Sequence, residues 1–284
     1  MKKDIALLLG LVLGLGFVSC SSDDDDDEYT NGEGKYLAEE IRTRYDWKDG
    51  KRSSEGKTYS IYRYDEKGQT VCAEFLYDGN WRYEHVYDEN GRDIETTHYD
   101  SDKLSYKLIS EYNSFGEVSV SYKYNENGRL WETIGYEYDN NGREIKETNT
   151  YHYVDGTKKT GTILTYGYGE KADTTYLYYP NNGGFDRKSI SEYDSHHNIV
   201  KITNIYANGD TDVLEYIHEY DSKGRTTKLV GPIFAEGVNP TKCASTQYLD
   251  ISYNEDGSFH IMHYKIPAKN EEYDLECSYK YKKK

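Results

Sequence analysis

The sequence is poor in the side chains that usually build a protein core. Leu, Ile, Val and Phe together supply only 51 of the 284 residues, and the chain has 4 prolines, 3 tryptophans and 2 methionines. So few aliphatic residues, combined with 30% charged residues, are usually typical of disordered chains. The 33 tyrosines oppose that interpretation, because tyrosine has a high strand propensity and a large apolar ring. We therefore expect a folded chain with a thin core, stabilised by cross-strand aromatic pairs.

Acidic residues outnumber basic ones. The chain has 35 Lys and Arg against 51 Asp and Glu, so its net charge is -16. Nucleic-acid binding needs a basic face, and we expect no nucleic-acid partner.

No motif for an enzyme, metal or cofactor stands out. The sequence has no P-loop, no G-x-S-x-G and no C-x-x-C. Carboxylates are too abundant to single out a catalytic pair. We expect no enzymatic activity, no cofactor and no metal site.

The N-terminus has the pattern of a bacterial export signal. Lys2 and Lys3 precede an apolar run over residues 5–18, which is too short to span a bilayer. The run ends at Phe17-Val18-Ser19-Cys20, which resembles the lipobox of bacterial lipoproteins. This resemblance implies a lipoprotein signal peptide over residues 1–19 and a membrane partner reached through lipid on the Cys20 thiol. An ordinary secretory signal with a chance cysteine is the alternative.

An acidic run follows the cysteine. Consecutive carboxylates cannot pack in a core, so residues 20–34 are predicted to be a disordered tether. The run resembles the export signal of surface lipoproteins of the Bacteroidota, which implies the outer membrane with the protein facing the cell exterior. A periplasm-facing anchor with an acidic linker is the alternative. The signal comprises Ser21, Ser22, Asp23, Asp24, Asp25, Asp26 and Asp27.

A short unit, as in YDENGR at residues 87–92, recurs along the chain. Asp or Asn opens a type I turn by accepting a hydrogen bond from the backbone two residues on. The glycine closes the hairpin with a positive φ, and the tyrosine is predicted to end the strand and cover the turn. The turn glycines are Gly68, Gly91, Gly116, Gly128, Gly142, Gly224 and Gly257. One further copy has His197 at the glycine position, which favours a variant turn over a metal site, because histidine tolerates positive φ.

These turns divide residues 35–284 into strands of about eight residues with alternating faces. The pattern predicts one all-β domain, a long antiparallel up-and-down meander of about 16–18 strands. Closure would remove the two exposed edges. Charges on both strand faces disfavour a pore in lipid. We expect a wide water-soluble barrel or a strongly curled sheet.

The Y-D-x-x-G-R units over residues 40–280 resemble the YD-type repeats of RHS-like proteins. They are more similar to the repeat-bearing surface lipoproteins of the Bacteroidota. These belong to largely uncharacterised families that are described as having a porin-like barrel fold. The resemblance implies an architecture and no particular activity.

Few residues suggest a binding site or a disulfide. Trp47, Trp81 and Trp131 lie near predicted turns, where their rings either stack on sugars or cover a hairpin. Cys243 and Cys277 are the predicted disulfide pair in an oxidising compartment, and Cys72 is predicted to be a buried strand residue.

The predicted function is a binding or interaction module at the cell surface, with an unidentified glycan or protein ligand. A structural envelope protein without a small ligand is one alternative. A surface hydrolase is another.

Overall fold

The computed structural model describes residues 35–77, 79–182, 184–233 and 245–283. It contains strands β1 (Lys35–Lys48), β2 (Lys51–Arg52), β3 (Lys57–Tyr64), β4 (Thr70–Phe75), β5 (Trp81–Tyr87), β6 (Asp93–Asp100), β7 (Lys103–Tyr112), β8 (Val118–Asn125), β9 (Leu130–Tyr138) and β10 (Glu144–His152). The second half contains β11 (Lys158–Gly167), β12 (Ala172–Tyr179), β13 (Gly184–Tyr193), β14 (Ile199–Tyr206), β15 (Thr211–Glu215), β16 (Ile217–Tyr220), β17 (Thr226–Ile233), β18 (Ser245–Tyr253), β19 (Phe259–Ile266) and β20 (Glu271–Lys283). Short 3₁₀ turns follow β12 and β19.

Consecutive strands pair antiparallel, which confirms the predicted meander. Each strand from β3 to β14 pairs with the next, and the pairing resumes from β16 to β20. β15 and β16 lie on either side of Tyr216 and together occupy one strand position in the sheet, since β15 pairs with β14 and β16 pairs with β17. β1 pairs with β3 on one side and with β20 on the other. The first and last strands therefore meet, and the sheet forms a nearly closed barrel.

The hairpin turns alternate between the two ends of the barrel, because each of them reverses the direction of the chain, whereas β2 and β3 run in the same direction, as do β15 and β16. We call one end the tyrosine end, because it holds the turns that follow Tyr64, Tyr87, Tyr112, Tyr138, Tyr193, Tyr220 and Tyr253. Lys35 pairs with Lys283 at this end. We call the other the tryptophan end, because Trp47, Trp81 and Trp131 all lie there, each close to the end of its strand. The described chain thus starts at one end, and the three tryptophans occupy the other.

The apolar core lies where the sheet closes. Its buried members are Leu249, Ile251, Met262, Tyr264, Ile266, Tyr273, Leu275 and Cys277 on β18, β19 and β20. Leu249 is only 1% exposed, and burying such a side chain contributes about 1.5–3 kcal/mol. We call the strand face that carries this core the inner face.

Away from the closure, the inner face is polar. On β8 it carries Ser121 and Lys123, whose ammonium lies 4.2 Å from the centroid of the Tyr106 ring. Ser121 is 3% exposed, whereas Val120 and Tyr122 point to the outer face. The alternation expected in β8 is therefore present, but its polar side is the buried one.

The outer face carries cross-strand ion pairs. They join Lys107 to Glu95, Lys146 to Glu137, Lys201 to Glu192, Lys228 to Glu219 and Lys280 to Glu39, at 2.5–3.0 Å. A basic residue that faces lipid costs about 2–4 kcal/mol at the bilayer midplane, so this face is built for water. Separately, no helix within the described residues is long and apolar enough to cross a membrane.

Candidate functional site

The repeated turn is held by its own side chains, as the copy at residues 87–92 illustrates. Asp88 Oδ1 accepts hydrogen bonds from the amides of Asn90 (2.9 Å) and Arg92 (3.0 Å). The Gly91 amide donates to the Asp88 carbonyl at 3.1 Å, and Gly91 has a φ of 80°. Arg92 Nε donates to Asp88 Oδ2 at 2.7 Å. This last bond is the main reason that the pKa of Asp88 is lowered. All seven predicted turn glycines have positive φ.

The turn tyrosines form what we call the tyrosine belt. Their hydroxyl groups reach back about one hairpin and donate to a strand near the preceding turn, as Tyr87 does to the Thr70 carbonyl at 2.8 Å. Burial raises the pKa of Tyr87 to about 12. The same backbone bond joins Tyr112 to Asp93, Tyr138 to Val118, Tyr168 to Glu144, Tyr253 to Thr226 and Tyr279 to Phe259. Side-chain acceptors serve Tyr64 (Glu40), Tyr193 (Asp173) and Tyr220 (Asp194).

The arginine of the repeat connects one turn to the next. The Arg92 guanidinium lies 4.8 Å from the centroid of the Tyr112 ring, one repeat further along the chain. Arg143 on Tyr168 and Arg225 on Tyr253 repeat the contact at 4.9 and 4.2 Å. Sequence reasoning missed this role, although the recurrence of Arg directly after the turn glycine was its signal. The belt hydroxyls and these guanidinium groups already have partners, so the tyrosine end is built for stability.

The copy without glycine keeps the geometry of the repeat. His197 has a φ of 60°, and its amide donates to the Asp194 carbonyl at 3.1 Å, as the glycine does elsewhere. His196 stacks on Tyr220 with ring centroids 4.0 Å apart. The pair therefore serves a turn and an aromatic stack. Within the described residues, no group of three or more His, Cys, Asp or Glu is arranged to hold a metal ion.

Trp81 covers a hairpin. It opens β5, directly after the connection from β4, and its indole lies against Gly79. A Cβ added to Gly79 would lie 3.0 Å from Trp81 Nε1. Of the two roles considered for Trp81, sugar stacking and hairpin covering, this packing fits the second.

Trp47 borders a polar cavity of about 270 Å³ at the end of β1. Its indole meets the His263 ring edge-on, with centroids 5.3 Å apart. His263 in turn lies between two carboxylates, with Nδ1 2.6 Å from Asp274 and Nε2 3.3 Å from Glu272. Both ring nitrogens are engaged, so the cluster joins β19 to β20 and leaves no histidine nitrogen for a ligand.

Trp131 borders an aromatic groove of about 290 Å³ between the β8–β9 and β10–β11 turns. Its ring and that of Tyr151 have centroids 6.5 Å apart, with planes tilted by 31°. Val154 is 87% exposed and Tyr153 is 49% exposed. Arg129 and His152 complete the lining. An open groove with several rings can hold a flat apolar face of a ligand, and this is the candidate site.

A glycine permits the position of Tyr151. Gly161 on the neighbouring strand lies beneath the ring, and a Cβ there would come 2.2 Å from Tyr151 Cε2. Such a contact is impossible without moving the ring. Gly161 is thus a supporting residue of the groove that the sequence did not single out.

The cysteines do not belong to this site. Cys277 is buried in the core, and burial raises the pKa of its thiol to about 11. Cys72 lies on a strand, as predicted, but it is half-buried and not buried, because the neighbouring Ala73 faces the interior. The Cys72 sulfur accepts a hydrogen bond from Arg63 at 3.5 Å. Cys243 lies outside the described residues, so its pairing with Cys277 stays a prediction. The signal peptide, Cys20 and the acidic run Ser21 to Asp27 also lie outside them.

No protein-family model and no curated protein matches this chain. Similar solved structures include a porin-like protein from Bacteroides uniformis, with 10% identity, a TM-score of 0.46 and coverage of 86% of this chain and 96% of that chain. A porin-like protein from Bacteroides vulgatus has 10% identity, a TM-score of 0.35 and coverage of 84% of this chain and 98% of that one. A DUF3836 family protein from Bacteroides vulgatus has 17% identity, a TM-score of 0.25 and coverage of 37% and 94%. At these identities and TM-scores, the similarities carry no conclusion about function.

Proposed function

We propose that this protein is a lipid-anchored module of the outer cell surface that binds saccharides at the Trp131 groove. The groove is the observation that carries the proposal. Trp131 and Tyr151 offer neighbouring rings, and Tyr153 and Val154 leave apolar surface exposed beside them. Sugar rings have apolar C–H faces that pack on aromatic side chains, and a shallow groove lined by such rings suits an extended glycan.

The direction of the chain supports this placement. A lipid on Cys20 would tether the protein through residues 20–34, which lead into Lys35 at the tyrosine end. The tryptophan end would then be the one farther from the membrane. A ligand outside the cell would reach the Trp131 groove without passing the anchor.

Glycan-array binding by the purified protein and two variants tests the proposal. Trp131→Ala removes the larger ring of the groove and should reduce the signal for bound glycans about tenfold, as for loss of a stacking contact of 1–2 kcal/mol. Phe115→Ala is the matched control, because Phe115 is an aromatic residue that is 75% exposed at the opposite end. It should bind as the wild type does.

Two other outcomes would count against the proposal. If no glycan binds, or if Trp131→Ala binds as well as the wild type, the groove is not a saccharide site. Silence in both glycan and host-protein screens would favour the alternative of a structural envelope protein. Release of a cleaved product from a bound glycan would instead favour a surface hydrolase.

A further inference from the structure

We infer that the ligand of the Trp131 groove is an anionic saccharide, one that bears carboxylate or sulfate groups, and that Arg129 and Lys158 recognise its charge. This inference rests on the proposed function and adds the chemical class of the ligand.

Arg129 is an arginine of the repeat that has lost its partner. In three copies the arginine binds the aspartate that opens its own turn, as Arg92 does with Asp88. The copy at residues 124–129 has Asn125 at that position. Asn125 Oδ1 still accepts the amide hydrogens of Asn127 (3.1 Å) and Arg129 (3.0 Å), so the turn is intact. Asn125 carries an amide nitrogen where aspartate has its second carboxylate oxygen, so it offers no acceptor there to the Arg129 guanidinium.

The consequence is visible across the whole set of arginines, all of which lie in the described part of the chain. Eight of the ten arginines form ion pairs with carboxylates, and the exceptions are Arg129 and Arg187. Arg187 has a hydrogen-bond partner in Tyr206. Arg129 lines the groove instead, with its charge available to a ligand.

Lys158 adds a second cation beside the edge of the groove that His152 lines. It is the cross-strand partner of His152, and burial, followed by the charge of Lys158, lowers the pKa of that histidine. No ion pair among the described residues engages Lys158. An anionic ligand in the groove would meet the guanidinium of Arg129 and, at the His152 edge, the ammonium of Lys158.

The nearby carboxylates have other local partners, and none of them forms an ion pair with Arg129 or Lys158 in the described part of the chain. Asp155 accepts hydrogen bonds from the amide and hydroxyl of Thr157, at 2.9 and 2.7 Å. Glu126 accepts one from Asn127 at 3.0 Å. Glu132 is buried, 3.8 Å from the Lys123 ammonium. On a chain with a net charge of -16, two cations without ion pairs beside an aromatic groove favour an acidic ligand over a neutral one.

The sharpest test leaves every groove residue in place. Asn125→Asp restores the aspartate of the other repeats, and its new carboxylate oxygen should capture the Arg129 guanidinium as Asp88 captures Arg92. The control Asn113→Asp adds the same charge to a turn at the opposite end, where no arginine follows the glycine. Both variants should keep the fold, since Asn and Asp make the same backbone bonds in these turns.

Binding is measured on an array that carries neutral, uronate-containing and sulfated glycans, followed by titration of the strongest binder at several salt concentrations. We expect the wild type and Asn113→Asp to bind acidic glycans and to weaken as salt rises. Asn125→Asp and Lys158→Gln should each bind them about tenfold more weakly. The uronate and sulfate panels distinguish the two sources of charge.

Three results would overturn the inference. Binding of neutral glycans alone would overturn it while leaving the proposed function intact. Equal weakening by Asn113→Asp and Asn125→Asp would mean that only the overall charge matters. No binding of any glycan would defeat both this inference and the proposed function.

Discussion

The role of the tyrosine belt in stability can be tested by removing a single hydroxyl group. Tyr112→Phe removes the hydroxyl group that donates to the Asp93 carbonyl at 2.7 Å. It leaves the ring, and with it the contact with the Arg92 guanidinium at 4.8 Å. The hydrogen bond from Tyr112 to Asp93 is partly buried, so water cannot fully replace it at the carbonyl.

The expected cost follows from these contacts. A net hydrogen bond contributes about 0.5–1.5 kcal/mol, and an acceptor left unsatisfied costs about 1–3 kcal/mol. We therefore expect Tyr112→Phe to lower the free energy of unfolding by about 1–2 kcal/mol. Tyr112→Leu should cost about 0.5–1 kcal/mol more, because it also removes the cation–π contact with Arg92.

Urea unfolding of the purified protein measures this difference through the shift of the midpoint at constant m-value. Tyr179→Phe is the control, because Tyr179 is 37% exposed at the tryptophan end and its hydroxyl has no hydrogen-bond partner among the described residues. That control should stay within about 0.5 kcal/mol of the wild type. Equal midpoints for Tyr112→Phe and Tyr179→Phe would refute the argument that the belt hydroxyls stabilise the barrel.

Four further outcomes are expected. His197→Gly should change the unfolding midpoint little or raise it, because glycine relieves the positive φ of 60° at a similar cost in unfolded-chain entropy; clear destabilisation would give the imidazole another role. Cys20→Ala should abolish labelling by a clickable fatty acid, whereas unchanged labelling would contradict lipidation. Serine in place of Asp23–Asp27 should preserve the melting temperature and lipidation but protect the protein from protease added to intact cells; equal digestion would leave the acids as a spacer only. The pKa of Asp88 is lowered mainly by Arg92, and that of Asp221 mainly by the amide of its turn arginine. The stability that these ionised carboxylates give the fold is therefore complete above about pH 4 and is lost as the pH falls through the lowered pKa. Urea midpoints measured between pH 6 and pH 2 should drop less steeply for Asp88→Asn than for the wild type.

The turns could be predicted from the sequence because their causes are local. A strand-ending tyrosine, the Asp or Asn that follows it and a glycine three residues later all lie within one six-residue unit. The same locality explains why His197 could be recognised as a turn residue. The all-β class and the meander follow from the spacing of these turns.

The inner face could not be predicted in the same way. Tyrosine, serine and threonine fill both faces of many strands, so the usual contrast between apolar and polar positions is weak. On β8 the buried side holds Ser121, and Val120 points outward. Contacts with neighbouring strands, such as Lys123 over Tyr106, decided that orientation.

The closure of the barrel and the candidate groove could not be predicted from the sequence either, because both depend on contacts between distant parts of the chain. The Ser278 hydroxyl donates to the Ile41 carbonyl across 237 residues of sequence, and no local pattern encodes a pairing of that separation. The sequence shows that Asn125 stands where other repeats have aspartate, but the effect of this difference on Arg129 depends on where the turn lies in the barrel. The number of chain reversals before the turn, odd or even, decides at which end of the barrel the turn lies. The sequence by itself determined the repeating turns, and only the assembled sheet brought Arg129, Trp131 and Tyr151 together at the end opposite the start of the described chain.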